Sequence, residues 1–278
     1  MQTHPSNDAG AVTVVPAGGS RRLLFELPFG MFKQTRWLPL HILPQLVVEM
    51  TLGPATQAFE EETASFNLSD VALLGTCLHV DSSVTEVYNR HILADGKLPI
   101  PYQSVIGSRH IVNGSEFTLS LSRSLSMLKQ LYFVIVKNTE NVVVEHRQKV
   151  AALSEVNLAT DMMSFQVQVG SQKFPDNECV GVSESYFRLL QALGHEKDHE
   201  DISIFPAQFV STSAIFGIDF EKAGNEALYS GISTRQGKVM TLTVKNSQAS
   251  VVHPHTVFVY QVYDGVCNIR SGAVDVEE

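Results

Sequence analysis

The sequence predicts an all-β chain of packed antiparallel sheets, and three observations carry that prediction. Short segments alternate apolar and polar residues with a period of two, others are apolar on both faces, and turn signals such as Asp95-Gly96, Asn113-Gly114 and Asp264-Gly265 punctuate them. Helical patterns are confined to two places, which argues against a parallel βαβ sheet and for sandwiches or barrels.

Taken in order, residues 1–20 form a polar lead containing Gly and Pro, read as a loose arm ahead of the basic pair Arg21-Arg22. The stretch Phe25 to Phe32 is rich in Phe and Pro, and either packs on its own domain as a buried loop or offers an apolar contact to a neighbour. Leu46 to Leu52 is apolar on both sides and reads as a central strand. Ser83 to Ala94 carries a capping box, Ser83 with Glu86, an apolar stripe at Val84, Val87, Tyr88 and Ile92, and Gly96 as a stop, so a helix is expected there.

Phe117 to Leu121, Phe165 to Val169 and Met240 to Val244 alternate strictly and predict strands with one face in a core. Leu131 to Val136 and Val257 to Tyr263 are apolar on both sides, which suits strands at the centre of packed sheets or covered by a neighbouring domain. A second helix is expected over 183–193, capped by Ser183 or Ser185, with Tyr186, Phe187, Leu190 and Leu193 on one face and Gly194 ending it. The polar stretch 141–163 divides the chain, giving expected units at 21–140 and 164–278.

The boldest motif is His195-Glu196-Lys197-Asp198-His199, the letters of an HExxH zinc hydrolase. Both imidazoles reach one metal only when the motif lies on a helix, since residues four apart then share a face. Here the letters begin after Gly194, where the helix should stop, and the middle positions are charged, so the stretch reads as a polar loop. His195 and His199 stay as minor metal candidates, with His253 and His255 as possible partners if the fold joined them. Cys77 and His79 share a strand face on paper, but a small buried thiol is the simpler role for Cys77. Gly231 to Lys238 misses the phosphate-loop spacing by one residue and has Val239 where a hydroxyl would hold magnesium. No GxSxG elbow is present. No catalytic residue and no cofactor are expected.

Composition narrows the partners. A formal charge of −9 with no basic block argues against binding that depends on neutralising phosphates, so no direct sequence-specific nucleic-acid contact is expected. No run of about 18 apolar residues exists and residues 1–20 lack a signal-peptide pattern, which predicts synthesis in a cytosol without a secretion signal. Three dispersed cysteines, Cys77, Cys179 and Cys267, fit reduced thiols.

From Val167-Gln168-Val169-Gly170 through Glu184 to Gln191, Ile202 to Phe205, Phe216 to Phe220 and the closing Val257 to Gly272 with its Ile-Arg-Ser-Gly run, the second half resembles the C-terminal jelly roll of double jelly-roll major capsid proteins of DNA viruses. The resemblance covers about 110 residues and rests on the order of element types. It implies two antiparallel jelly-roll sandwiches side by side, a double jelly roll, with two short inserted helices. It also implies a structural role: pseudo-hexagonal homotrimers assembling into an icosahedral shell, located in the virion, with minor capsid or vertex proteins and an internal membrane or inner layer as further partners. Two readings from other classes stand beside it. One is a carbohydrate- or ligand-binding β-sandwich module, for which Trp37 and Tyr102 would be loop aromatics; the other is the zinc hydrolase using His195, Glu196 and His199.

Overall fold

A computed structural model describes residues 18–20, 22, 24, 30–33, 37–43, 46–51, 67–137, 163–195, 204–211, 214–221, 231–235, 238–270 and 273–277. The elements are α1 (Gly30–Lys33), α2 (Ser82–Asp95), β1 (Leu98–Val112), β2 (Phe117–Leu121), β3 (Leu128–Lys137), β4 (Ser164–Val169), β5 (Gln172–Val180), α3 (Gly181–Leu193), α4 (Pro206–Ser211), β6 (Phe216–Asp219), β7 (Met240–Lys245), β8 (His255–Arg270) and β9 (Ala273–Glu277). The chain is all-β with few helices, as the periodicity predicts, and the strands form two antiparallel sheets.

One sheet has the order β1-β8-β3-β6, with β9 pairing the far end of β8; the other has the order β2-β7-β4-β5. Successive strands cross between the sheets from β1 to β4 and again from β5 to β8, while β4 and β5 form a hairpin within one sheet. Eight strands in that order are a jelly roll. This strand order corrects the expected division at 141–163. β1, β2 and β3 come from before that stretch, yet β1 pairs with β8 from Leu98↔Ile269 to Val112↔His255, and β2 pairs with β7. The expected units 21–140 and 164–278 therefore share one sandwich, because a jelly roll places its first strands beside its last. Among the described residues of 1–97 there are helices and no strand. Residues 141–162 lie outside the described residues, and Met163 is fully buried in the core.

Strict alternation explains the inner layer. Leu119 and Leu121 of β2, Phe165, Val167 and Val169 of β4, and Met240, Leu242 and Val244 of β7 point inward and are almost completely buried. Phe165 meets Phe133 of β3 edge to face at 5.1 Å and Phe216 of β6 at 5.5 Å, which joins the two sheets at an aromatic cluster. Phe133 stacks on Phe216 at 4.8 Å, and Phe209 of α4 closes the group. Past the end of the four-stranded sheet, Ile100, Cys267 and Ile269 form a second small cluster, covered by Met31, Leu38, Ile42 and Leu43.

Several expectations are corrected by these contacts. The helix α2 is capped by Asp81, whose carboxylate accepts from the Ser83 N–H at 2.9 Å, so Ser83 lies inside the helix. In α3 the N-cap is Val180, and Ser185 is a buried interior residue whose hydroxyl donates to the Gly181 carbonyl at 2.6 Å. Leu46 to Thr51 is not a strand: it has no pairing partner, and Leu46, Val47 and Met50 are exposed. Asp264-Gly265 is no turn but the interior of the 16-residue β8, and Tyr102 lies in β1 with its ring against Gly265. Of the segment Ile202 to Phe205, which the resemblance makes a strand, the described Ile204 and Phe205 are not in a strand and lead directly into α4.

Candidate functional site

The zinc motif has no helix under its first ligand. Gly194 adopts φ 77°, a left-handed conformation that glycine takes at little cost, and the N–H of His195 bonds the Leu190 carbonyl at 3.0 Å. The helix is closed there, and Glu196 to His199 lie outside the described residues. His253 is exposed in the loop before β8, whereas His255 is buried with Nδ1 3.0 Å from the His253 carbonyl. Among the described residues no three His, Cys, Asp or Glu side chains are grouped to hold a metal. Cys77 and His79 are both exposed on an unpaired extended stretch, so neither is a buried thiol or a strand pair. Of Gly231 to Lys238, Ile232 forms a bridge to Leu128, which makes its start a strand-like contact on β3.

The outer faces of the two sheets differ in chemistry. The four-stranded sheet presents Thr118, Gln166, Gln168, Thr243 and Lys245. Thr118 and Thr243 hydroxyls meet across strands at 3.1 Å, and Gln166 donates to the Pro175 and Asp176 carbonyls. Glu178 accepts from Ser164 and from Lys245; these bonds, that of Lys245 first, hold its carboxyl below the usual carboxylate range. This is a face made for water, with a polar hollow of about 200 Å³ along it.

The five-stranded sheet turns an apolar face outward. Register places Val105 of β1 opposite Val262 of β8, Tyr260 opposite Tyr132 of β3, and Phe258 opposite Val134. Because alternate residues share a face, these six and Val136 form one surface beside α3, whose Leu189 and Leu193 make its wall with Ile204 and Ile215. The resulting groove has a volume of about 560 Å³. Val105 is 54% exposed, Tyr260 42% and Ile111, further along β1, 58%. A sandwich that met water on both sides would carry polar residues at these positions.

Two features fix this face. Gly217 of β6 lets α3 lie directly on the sheet, since a Cβ there would sit 3.0 Å from the Ala192 Cβ and 3.2 Å from the Leu189 Cα. The Tyr132 hydroxyl donates to the Ala192 carbonyl at 2.8 Å, and burial, reinforced by Asp219 and Glu221, raises the pKa of its phenol. The sequence hinted at this surface through strands 131–136 and 257–263, both apolar on two sides. It missed β1, the edge strand that widens the surface, because Pro99, Pro101 and the weak alternation of Gln103 to His110 obscure its period.

No protein-family model matches the chain, and no curated protein matches it in sequence. Solved structures do match. PBCV-1 VP54, fitted into a cryo-EM reconstruction of the virophage Sputnik, is 10% identical with a TM-score of 0.42, over 69% of this chain and 54% of that one. The quasi-atomic model of the PBCV-1 virus capsid is 12% identical with a TM-score of 0.38, over 68% and 54%. A cryo-EM structure of the Sputnik virophage is 12% identical with a TM-score of 0.36, over 65% and 39%. This chain spans about half the length of the first two and less of the third. The chain itself is all-β, with two antiparallel sheets in jelly-roll order.

Proposed function

We propose that the chain is a structural capsid subunit that self-associates and tiles an icosahedral shell, rather than an enzyme. The observation that carries this reading is the asymmetry of the sandwich: one outer face is polar and hydrogen-bonded, while the other is an apolar surface floored by three long strands. Large apolar patches on the outside of a soluble domain mark surfaces that another body covers. A shell subunit needs such surfaces, because its work is burial; stable interfaces of obligate size take about 2,000 Å² or more.

A tile of pseudo-hexagonal outline needs six sandwich-sized lobes. Three chains build it if each presents two lobes, as the expected homotrimer requires; six build it if each presents the one jelly roll of the described residues. That observation gives the six-copy ring a place as the second reading. Membership of a virion, and contact with vertex proteins or an inner layer, follow from the same proposal.

The test is the mass of the purified full chain by light scattering, with negative-stain images of the same fraction. Multiples of 30.6 kDa, three or six, with hexagonal outlines or closed shells, support the reading and choose between its forms. A stable monomer that binds a sugar or another small ligand would instead favour a binding module.

A further inference from the structure

We propose that residues 67–81 form an exchanged arm, whose extended stretch in one copy lies on the apolar outer face of a second copy's five-stranded sheet, beside α3. The proposal rests on the reading that copies of this chain associate, and names the contact by which they do so.

Residues 67–81 belong to no helix or sheet, bend at Asp70 (φ 54°), run on from there without a turn, and are exposed along their whole length. They nevertheless hold six large aliphatic side chains, from Val80 at 44% exposed to Leu74 at 76%. A stretch of that composition left in water is an unfilled contact. It does not lie on its own sheet, since burial there would show in those exposures. At its end, Asp81 caps α2, which runs through Gly96 into β1, so the arm is anchored to the edge strand of the sheet.

Length and charge fit the second copy's groove. The eleven residues past Asp70 reach about 36 Å, within the length of the 15-residue β1 and the 16-residue β8 that floor the face. Covering each aliphatic side chain removes roughly 100 Å² from water; because neighbours in an extended stretch face opposite sides, the four anchors Val71, Leu73, Leu78 and Val80 supply about 400 Å², half of the 800 Å² or so per partner of a stable interface. Between residues 67 and 81 the arm carries Asp70 and Asp81 and no Lys or Arg. On the outer face of β1, β3 and β8, Arg109 and Arg270 are exposed cations; Arg270 lies 3.7 Å from Asp275, whereas Arg109 has no ion-pair partner among the described residues. Gly75 separates two anchor pairs, Val71 with Leu73 and Leu78 with Val80, leaving the arm room to follow the twist of the sheet.

Leu78, an anchor of the arm, supplies the test. The full chain with Val105→Cys, Leu78→Cys and Cys77→Ser is oxidised and run on a non-reducing gel beside the same variant with Leu78 restored. A disulfide-linked species of twice 30.6 kDa, absent with Leu78 restored and mapped by mass spectrometry to the two introduced thiols, is the expected result. A link within one chain, or no link in a sample whose unaltered chain is oligomeric by light scattering, overturns the arm and leaves self-association standing. An unaltered chain that is monomeric overturns both. Because the arm is exposed, Leu73→Asp with Leu78→Asp should keep the circular dichroism of the parent while weakening association at least tenfold; unchanged association overturns the proposal.

Discussion

The Lys129 ammonium lies 2.8 Å from the carboxylate of Glu221, and both side chains are almost fully removed from water. Asp264 approaches the same ammonium at 3.6 Å. The lysine sits between Leu128 and Gln130, where the pairing of β3 with β8 shifts register, and its own carbonyl accepts from the Phe220 N–H. One buried cation thus ties β3 to β8 and to the chain leaving β6.

Removing that cation takes the ammonium away from two interior carboxylates. Lys129→Ala is expected to lower unfolding stability by about 3–5 kcal/mol, the usual cost of breaking a buried pair from one side. A urea midpoint within experimental error of the parent would show that water reaches the site and that the knot is a surface pair.

Packing across the sheets gives a second expectation. Phe165 is 1% exposed and joins both sheets through Phe133 and Phe216, so Phe165→Ala should cost about 3–5 kcal/mol. Gly217→Val tests the contact between α3 and β6 in the opposite sense, by overfilling it. A loss of about 1–3 kcal/mol is expected, read as a fall in melting temperature; an unchanged melt would mean that α3 is not seated on β6.

Thiol chemistry should sort the three cysteines. Burial is the main cause that pushes the Cys179 thiol up to about 12 and also raises that of Cys267, which keeps both protonated and slow to react at neutral pH. Cys77 is exposed. Titration with a coloured disulfide reagent should show one fast thiol in the folded chain and three after denaturation, whereas two fast thiols would contradict the burial of the closing strand.

Acid should weaken two polar devices together. Hydrogen bonds from Ser83 hold the Asp81 carboxyl below its ordinary 3.8, and bonds from Lys245 and Ser164 hold that of Glu178 below 4.5. Groups depressed in the folded state contribute stability that is complete above their unfolded values and lost as pH falls through the folded ones. Stability should therefore fall below about pH 4.5, and Glu178→Gln should flatten part of that fall. A pH profile from 3 to 6 identical in parent and variant would remove Glu178 from the account.

Much of the inner layer was legible in the sequence. Phe117 to Leu121, Phe165 to Val169 and Met240 to Val244 each put every second residue in the core, and a period of two is a local property that needs no knowledge of partners. The end of α3 at Gly194 was legible for the same reason, and it leaves His195 just past the helix. Cap positions were less so: Asp81 precedes two serines, all three able to cap, and only the backbone angle at Asp81 decides among them.

Pairing belonged to the tertiary structure. β1 and β8 are separated by more than 140 residues yet run side by side, and nothing local in Leu98 to Val112 announces a central role for it. The same long-range pairing placed strands from both expected units in one jelly roll, turned Asp264-Gly265 from a turn into strand interior, and gathered Val105, Tyr132, Phe258 and Tyr260 into a single face. By itself the sequence determined an all-β chain, its alternating strands, and the stop of α3 at Gly194, since each depends on neighbours within a few residues. Which strands meet, and therefore which apolar side chains remain outside to be covered, was decided by hydrogen-bonded register between distant segments.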